Sequence, residues 1–135
     1  MTKYEILEHK ADLKIRAFGK TKEELFLNMM LGMEESMKPE IEVRTRIKRE
    51  IKIESLDLPA LLVDFLSEAL YQSQVNKEVY NSVKFSKFSD NYLEGKLIGQ
   101  KVERFGEDIK AVTYHNLEVN QNKDGIWKAV VLFDI

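Results

Sequence analysis

Cysteine is absent from the 135-residue chain. That excludes disulfides, thiol nucleophiles, iron–sulfur clusters and Cys-ligated zinc. Histidine is represented only by His9 and His115, too few soft ligands for a structural zinc site. The six glycines are scattered, and neither G-x-x-x-x-G-K nor G-x-G-x-x-G occurs, so no phosphate-cradling loop is written into the chain. No serine stands on a glycine-flanked turn of the kind that exposes a nucleophile. No apolar run approaches the ~20 residues that cross a bilayer. The opening Met1–His9 carries charges where a secretory leader needs an apolar stretch, so the expected address is the cytoplasm. Positive charge is not in excess either. Lys and Arg number 21 against 23 Asp and Glu, a formal charge of −2, which argues against strong independent binding of nucleic acid.

What remains is the composition of a folded chain, 44% hydrophobic and 33% charged. Its length suits one domain, residues 1–135. Tyr4 to Leu7 and Asp12 to Phe18 read as short strands, the second alternating Leu13, Ile15 and Ala17 against Asp12, Lys14 and Arg16. Thr21-Lys22-Glu23-Glu24 has capping-box spacing and opens an amphipathic helix over Lys22 to Met37. Its methionines, Met29, Met30, Met33 and Met37, suit core packing, with an adaptable docking surface as the other reading. Val43 to Ile53 predicts a long half-exposed strand. Val43, Ile47, Ile51 and Ile53 share its apolar face, which Thr45 and Arg49 interrupt. Arg44, Arg46, Lys48 and Lys52 lie opposite, as a solvated face or a phosphate-binding stripe. Asp57 caps a second helix with Pro59 in its first turn. The remainder predicts strands over Val79 to Phe88, Tyr92 to Ile98, Ile109 to Val119 and Ile126 to Ile135. The last is apolar on both faces and so belongs in mid-sheet. With two helices and mostly neighbouring strands, the expected class is α+β: a two-layer sandwich of a mixed or mostly antiparallel sheet with both helices on one face.

Few residues invite chemistry. Asp64 and Glu68 form an i, i+4 carboxylate pair, able to hold a divalent ion or simply to face water. His115 falls on the apolar face of its strand, as a satisfied buried histidine or a proton-handling group. Asp134 ends a strongly apolar run beside the carboxylate of Ile135. Two neighbouring anions either fray into solvent or share a hard cation such as Ca²⁺ or Mg²⁺.

The segment Tyr4-Glu5-Ile6-Leu7-Glu8-His9-Lys10-Ala11-Asp12, followed by Ile15-Arg16-Ala17-Phe18-Gly19-Lys20-Thr21, resembles the opening of the archease family. Leu61-Leu62-Val63-Asp64-Phe65-Leu66-Ser67-Glu68 is similar to that family's central helix. Ile109-Lys110-Ala111-Val112-Thr113-Tyr114-His115 resembles its most recognisable strand, and Asp134-Ile135 its carboxyl-terminal signature. The resemblance implies a small cytosolic accessory protein, not an enzyme, that activates the RtcB-type tRNA-splicing RNA ligase. It would promote guanylylation of the ligase and repeated turnover, and would relax its nucleotide choice. The protein partner is the ligase, tRNA is reached only through it, and no membrane is involved. A divalent metal, calcium by the usual assignment with Mg²⁺ as the substitute, would be held by Asp12, Asp134 and the carboxylate of Ile135. The chain departs from the family pattern at Lys10, where threonine is typical, at Lys14, where glycine is, and in a shortened segment from Gly99 to Asp108 that lacks a histidine often found there. Two rival readings use the same residues differently. One is a metal-dependent phosphate-ester hydrolase with His115 as the acid–base group; the other is a chaperone-like module working through the methionine-rich helix.

Overall fold

A computed structural model describes residues 1–8, 11–42 and 45–135 of the chain. Among them are eight strands and two helices: β1 (Tyr4–Glu8), β2 (Asp12–Gly19), α1 (Lys22–Ser36), β3 (Pro39–Ile41), β4 (Ile47–Glu54), α2 (Leu58–Asn76), β5 (Glu78–Phe88), β6 (Tyr92–Phe105), β7 (Ala111–Gln121) and β8 (Trp127–Asp134). The α+β class holds, and every strand pair is antiparallel. The strands divide between two sheets where the sequence suggested one. The first has the order β1-β2-β8-β7; in the second the long β6 pairs with β5 and with both β3 and β4.

The helices explain the division. A helix lying on a single surface buries one stripe, yet α1 buries Leu25, Phe26, Asn28, Met29, Met30, Gly32, Met33 and Glu34. In α2 the consecutive Leu61, Leu62 and Val63 are all buried. Each helix packs against strands of both sheets, α1 against β2 and β5, α2 against β7 and β4. Apolar positions more than half way round each helix therefore have a surface to cover. Met29, Met30, Met33 and Met37 are at most 1% exposed, so the folded chain carries no docking surface made of them.

Local signals set the boundaries. Thr21 caps α1 through the Glu24 amide at 3.1 Å, while the Glu24 carboxylate accepts from Lys20 N–H, one residue earlier than a symmetric capping box requires. Asp57 caps α2 through the Ala60 amide at 2.9 Å, with Pro59 in the first turn. At the β7–β8 turn the Asn122 side chain accepts from the amides of Asp124 and Ile126. Three strand expectations need correction. The half-exposed strand spans Ile47–Glu54; Val43 and Arg44 of the expected run lie outside the described residues. The strand expected to stop at Ile98 continues to Phe105, because the apolar Val102 docks beyond Gly99. Pro39–Ile41 forms a short strand that no alternation announced.

Strand β6 carries Gly95 and Gly99 opposite two irregularities in β5, at Phe85/Lys87 and Tyr80/Ser82. A Cβ on Gly99 would stand 1.8 Å from the Val79 carbonyl oxygen, and one on Gly95 2.5 Å from that of Lys84. Only residues without side chains permit these bulges to close on β6.

Candidate functional site

Strand β8 lies between β2 and β7, which agrees with its double-sided apolarity. Its register places Asp134 directly opposite Asp12 of β2 and, on its other side, opposite Ala111 of β7. Lys110 N–H donates to the Asp134 carbonyl at 2.7 Å, so the end of β8 is fixed from both flanks. The two aspartates named from the sequence are thus neighbours in space, and Ile135 adjoins them.

Asp12 and Ile135, though not Asp134, line a cleft of about 520 Å³ whose walls also include Glu35, Lys38, Glu107 and Asp108. Its walls are well anchored. Gly106 and Glu107 donate backbone hydrogen bonds to the carbonyls of Lys38 and Met37, joining the β6–β7 turn to the end of α1. Gln74 of α2 donates to the Ile109 carbonyl at 2.7 Å, and Ile109 itself is buried. One wall is therefore the segment whose shortening the sequence marked as unusual. Oxygen donors dominate the rim, where Lys38 pairs with Glu107 at 3.5 Å. One carboxylate oxygen of Asp12 is buried, whereas Asp134 is exposed and Ile135 is 45% exposed. Among the described residues, no three His, Cys, Asp or Glu side chains cluster as metal ligands do. His9 and Lys10 lie outside the described residues.

Other candidates are placed elsewhere. His115 is exposed, not seated on an apolar face. The alternation of β7 changes phase between Val112, which packs inward, and Leu117 and Val119, which also pack inward. The change occurs at a break in the β7–β8 register, where Asn116 has φ 53°. His115 also lies four residues beyond Ala111, a rise of roughly 13 Å from the Asp134 level, which removes it from acid–base reach of the aspartates. Asp64 is committed to structure: Tyr114 donates to one oxygen at 2.8 Å and Ser55 to the other at 2.6 Å. That bond, aided by burial and the carboxylate's charge, raises the Tyr114 pKa.

A polar cluster that no motif or periodicity announces lies between the helices and the second sheet. Arg49, which interrupts the apolar face of β4, donates from Nε and Nη2 to Glu78 at 2.9 and 2.7 Å, and Tyr80 Oη donates to the same carboxylate at 2.7 Å. Burial pulls the Glu78 pKa upward, but the hydrogen bonds from Arg49 and Tyr80 prevail and hold it below the ordinary value. Nearby, Glu34 of α1 accepts from Ser73 of α2 at 2.6 Å. Burial pushes its pKa from 4.5 up to about 8, against the opposing pull of that bond and of a backbone hydrogen bond with Tyr80.

Among the described residues, no helix is long and apolar enough to cross a membrane. Residues 4–135 match the family model described as the archease protein family (MTH1598/TM1083). The protein archease of Methanosarcina barkeri is 39% identical, with 98% of this chain and 95% of that one aligned. That of Pyrococcus furiosus is 32% identical over the whole of both chains. Among solved structures, protein 1598 of Methanobacterium thermoautotrophicum is 30% identical, with a TM-score of 0.71 over the full length of both chains. An archease of Thermotoga maritima, described as a possible chaperone, shares the fold at a TM-score of 0.67 and 20% identity, covering 96% of this chain and 94% of its own. The chain belongs to the archease family.

Proposed function

We propose that this chain is a non-catalytic activator of an RtcB-type tRNA-splicing RNA ligase, promoting guanylylation of the ligase and its repeated turnover. Family membership supports the class of protein. The observation that carries the site is the register of β2 and β8, which sets Asp134 opposite Asp12, a residue of the cleft wall. Asp12, Asp134 and Ile135 offer oxygens alone, the set a hard divalent cation prefers, so these residues fit Ca²⁺ or Mg²⁺. Asp12 and Asp134 would hold it, and the carboxylate of Ile135 would be the third anionic donor that no side-chain cluster provides. When bound, the ion supplies a compact positive charge able to organise phosphate oxygens. The protein's own part is to present that group rigidly at an exposed rim, on strand ends clamped from both sides. In this reading tRNA is engaged through the ligase.

The hydrolase alternative loses its acid–base group to the exposed, distant position of His115, and the chaperone alternative loses its methionine surface to burial. The test is transfer of GMP from GTP to the ligase under repeated turnover, with and without this protein. Stimulation that disappears in Asp12→Ala and Asp134→Ala supports the proposal. No stimulation by the intact chain overturns it.

A further inference from the structure

The second sheet turns its apolar face to the helices and leaves the other unpartnered. Ladder register assigns that outward face row by row: Lys48, Ile98 and Ser82; Glu50, Lys96 and Lys84; Lys52, Glu94 and Lys87. Each of these three rows sums to one positive charge, and the row beyond them, Glu54 opposite Tyr92, to one negative charge. Lys84 and Lys96 are direct cross-strand partners, an arrangement of like charges that costs stability when nothing anionic lies between them. Both are exposed, and neither they nor Lys48 form an ion pair among the described residues. Two carboxylates share these rows: Glu50 stands opposite Lys96 and offsets one of the two lysines, and Glu94 is already engaged. Glu94 accepts from Tyr92 Oη and pairs with Lys87 at 3.4 Å, and those two neighbours, with Lys52, hold its pKa below the ordinary value. A groove of about 480 Å³ runs here, bordered by Lys52, Lys84 and Lys96 together with Glu50, Glu94 and Ser86.

We propose that this face binds the phosphodiester backbone of single-stranded RNA. Two features favour that occupant. Successive rows are two residues apart, about 7 Å, comparable with the separation of consecutive phosphates along an extended strand. Tyr92 closes the face with an aromatic ring, the companion that lysines have where bases stack on single-strand platforms. The chain's overall charge of −2 makes the contact weak, effective when the ligase holds RNA alongside. The inference thus extends the ligase reading but is measurable without it.

The experiment is fluorescence anisotropy of a labelled 20-nucleotide oligouridylate titrated with the intact protein at 50 and 200 mM KCl. Three neutralised phosphates at ~0.7 each predict a log–log salt slope of about −2, hence roughly 15-fold weaker binding at the higher salt. The triple variant K52E/K84E/K96E loses more than tenfold in affinity, and its neutral counterpart K52Q/K84Q/K96Q falls between. A control reversal at exposed Lys20 and Lys123 changes affinity less than twofold. No binding by the intact protein, an equal loss in the control, or capture of polyglutamate as tight as that of RNA overturns the proposal. Guanylylation of the ligase involves no RNA and is unchanged in the lysine variants. A failure of RNA binding therefore leaves the activator reading standing, and a failure of stimulation leaves this one standing.

Discussion

Arg49 and Glu78 meet across the full width of β6, from two strands that are not neighbours, and the carboxylate they bury is 0% exposed. Replacing Arg49 by methionine strands that carboxylate. The expected loss is about 3 kcal/mol, the low end for a broken buried pair because the guanidinium keeps 40% of its exposure. Urea denaturation at neutral pH measures it. The double variant Arg49→Met, Glu78→Leu recovers much of the loss, and a double variant as unstable as the single one contradicts the account.

Glu34 makes stability depend on pH in the opposite sense to an ordinary salt bridge. Folded, it keeps its proton up to about pH 8, whereas unfolded it loses it near 4.5. Between those values the native state binds the extra proton, so stability falls as pH rises and levels off above 8. The decline attributable to this group from pH 4.5 to 7 is on the order of 3 kcal/mol. Glu34→Gln mimics the protonated acid and keeps an acceptor for Ser73. Its melting temperature at pH 8 should exceed that of the parent, and the difference should shrink at pH 5.

Glu78 pulls the other way at the acid end. Its pKa is lower folded than unfolded, so its contribution is present above the unfolded value and is lost as pH falls through the folded one. A stability profile from pH 7 to 3 should therefore drop in the acid limb, and Glu78→Gln should flatten that limb.

Removing either aspartate from the β2–β8 end tests the cation. Calorimetric titration with Ca²⁺ should show at least tenfold weaker binding in Asp12→Asn or Asp134→Asn, a loss of about 1.4 kcal/mol or more. Thermal stability without added metal should change little in Asp134→Asn, whose side chain is exposed. A peptide extension after Ile135 should weaken binding as the substitutions do.

Gly99→Ala places a methyl group within 1.8 Å of the Val79 carbonyl oxygen. Backbone cannot yield as a flexible side chain does, so the bulge must open. A loss above about 3 kcal/mol, or failure to fold, is expected from such overpacking. Ala substituted at exposed Gly106 is the control, where the nearest contact is 3.2 Å to the Lys38 side chain.

Local rules carried the sequence reading a long way. Thr21 and Asp57 marked both helix starts, and the turns at Ser89–Asn91 and Asn122–Gly125 fell where their polar side chains suggested. The apolar run ending in Asp134 revealed a central strand, and the family resemblance named the two aspartates that the β2–β8 register sets side by side. What escaped detection depends on distant partners. Arg49 looked like a flaw in β4 because Glu78, which explains it, lies 29 residues away on another strand. His115 was misplaced because alternation carries no notice of a bulge; Asn116, a residue that tolerates φ > 0, was the one available hint. The second sheet was hidden because periodicity marks which residues are apolar but not how many surfaces will cover them.

Strand β8 is the final strand in the sequence, yet it is the one that joins the β1–β2 ribbon to β7. A growing polypeptide must therefore leave that ribbon waiting, one margin unzipped, until Trp127–Asp134 has been made. Sequence-distant pairing of this sort is slow. It also means that no fragment lacking β8 brings the two aspartates together, so their meeting certifies that the first sheet has closed.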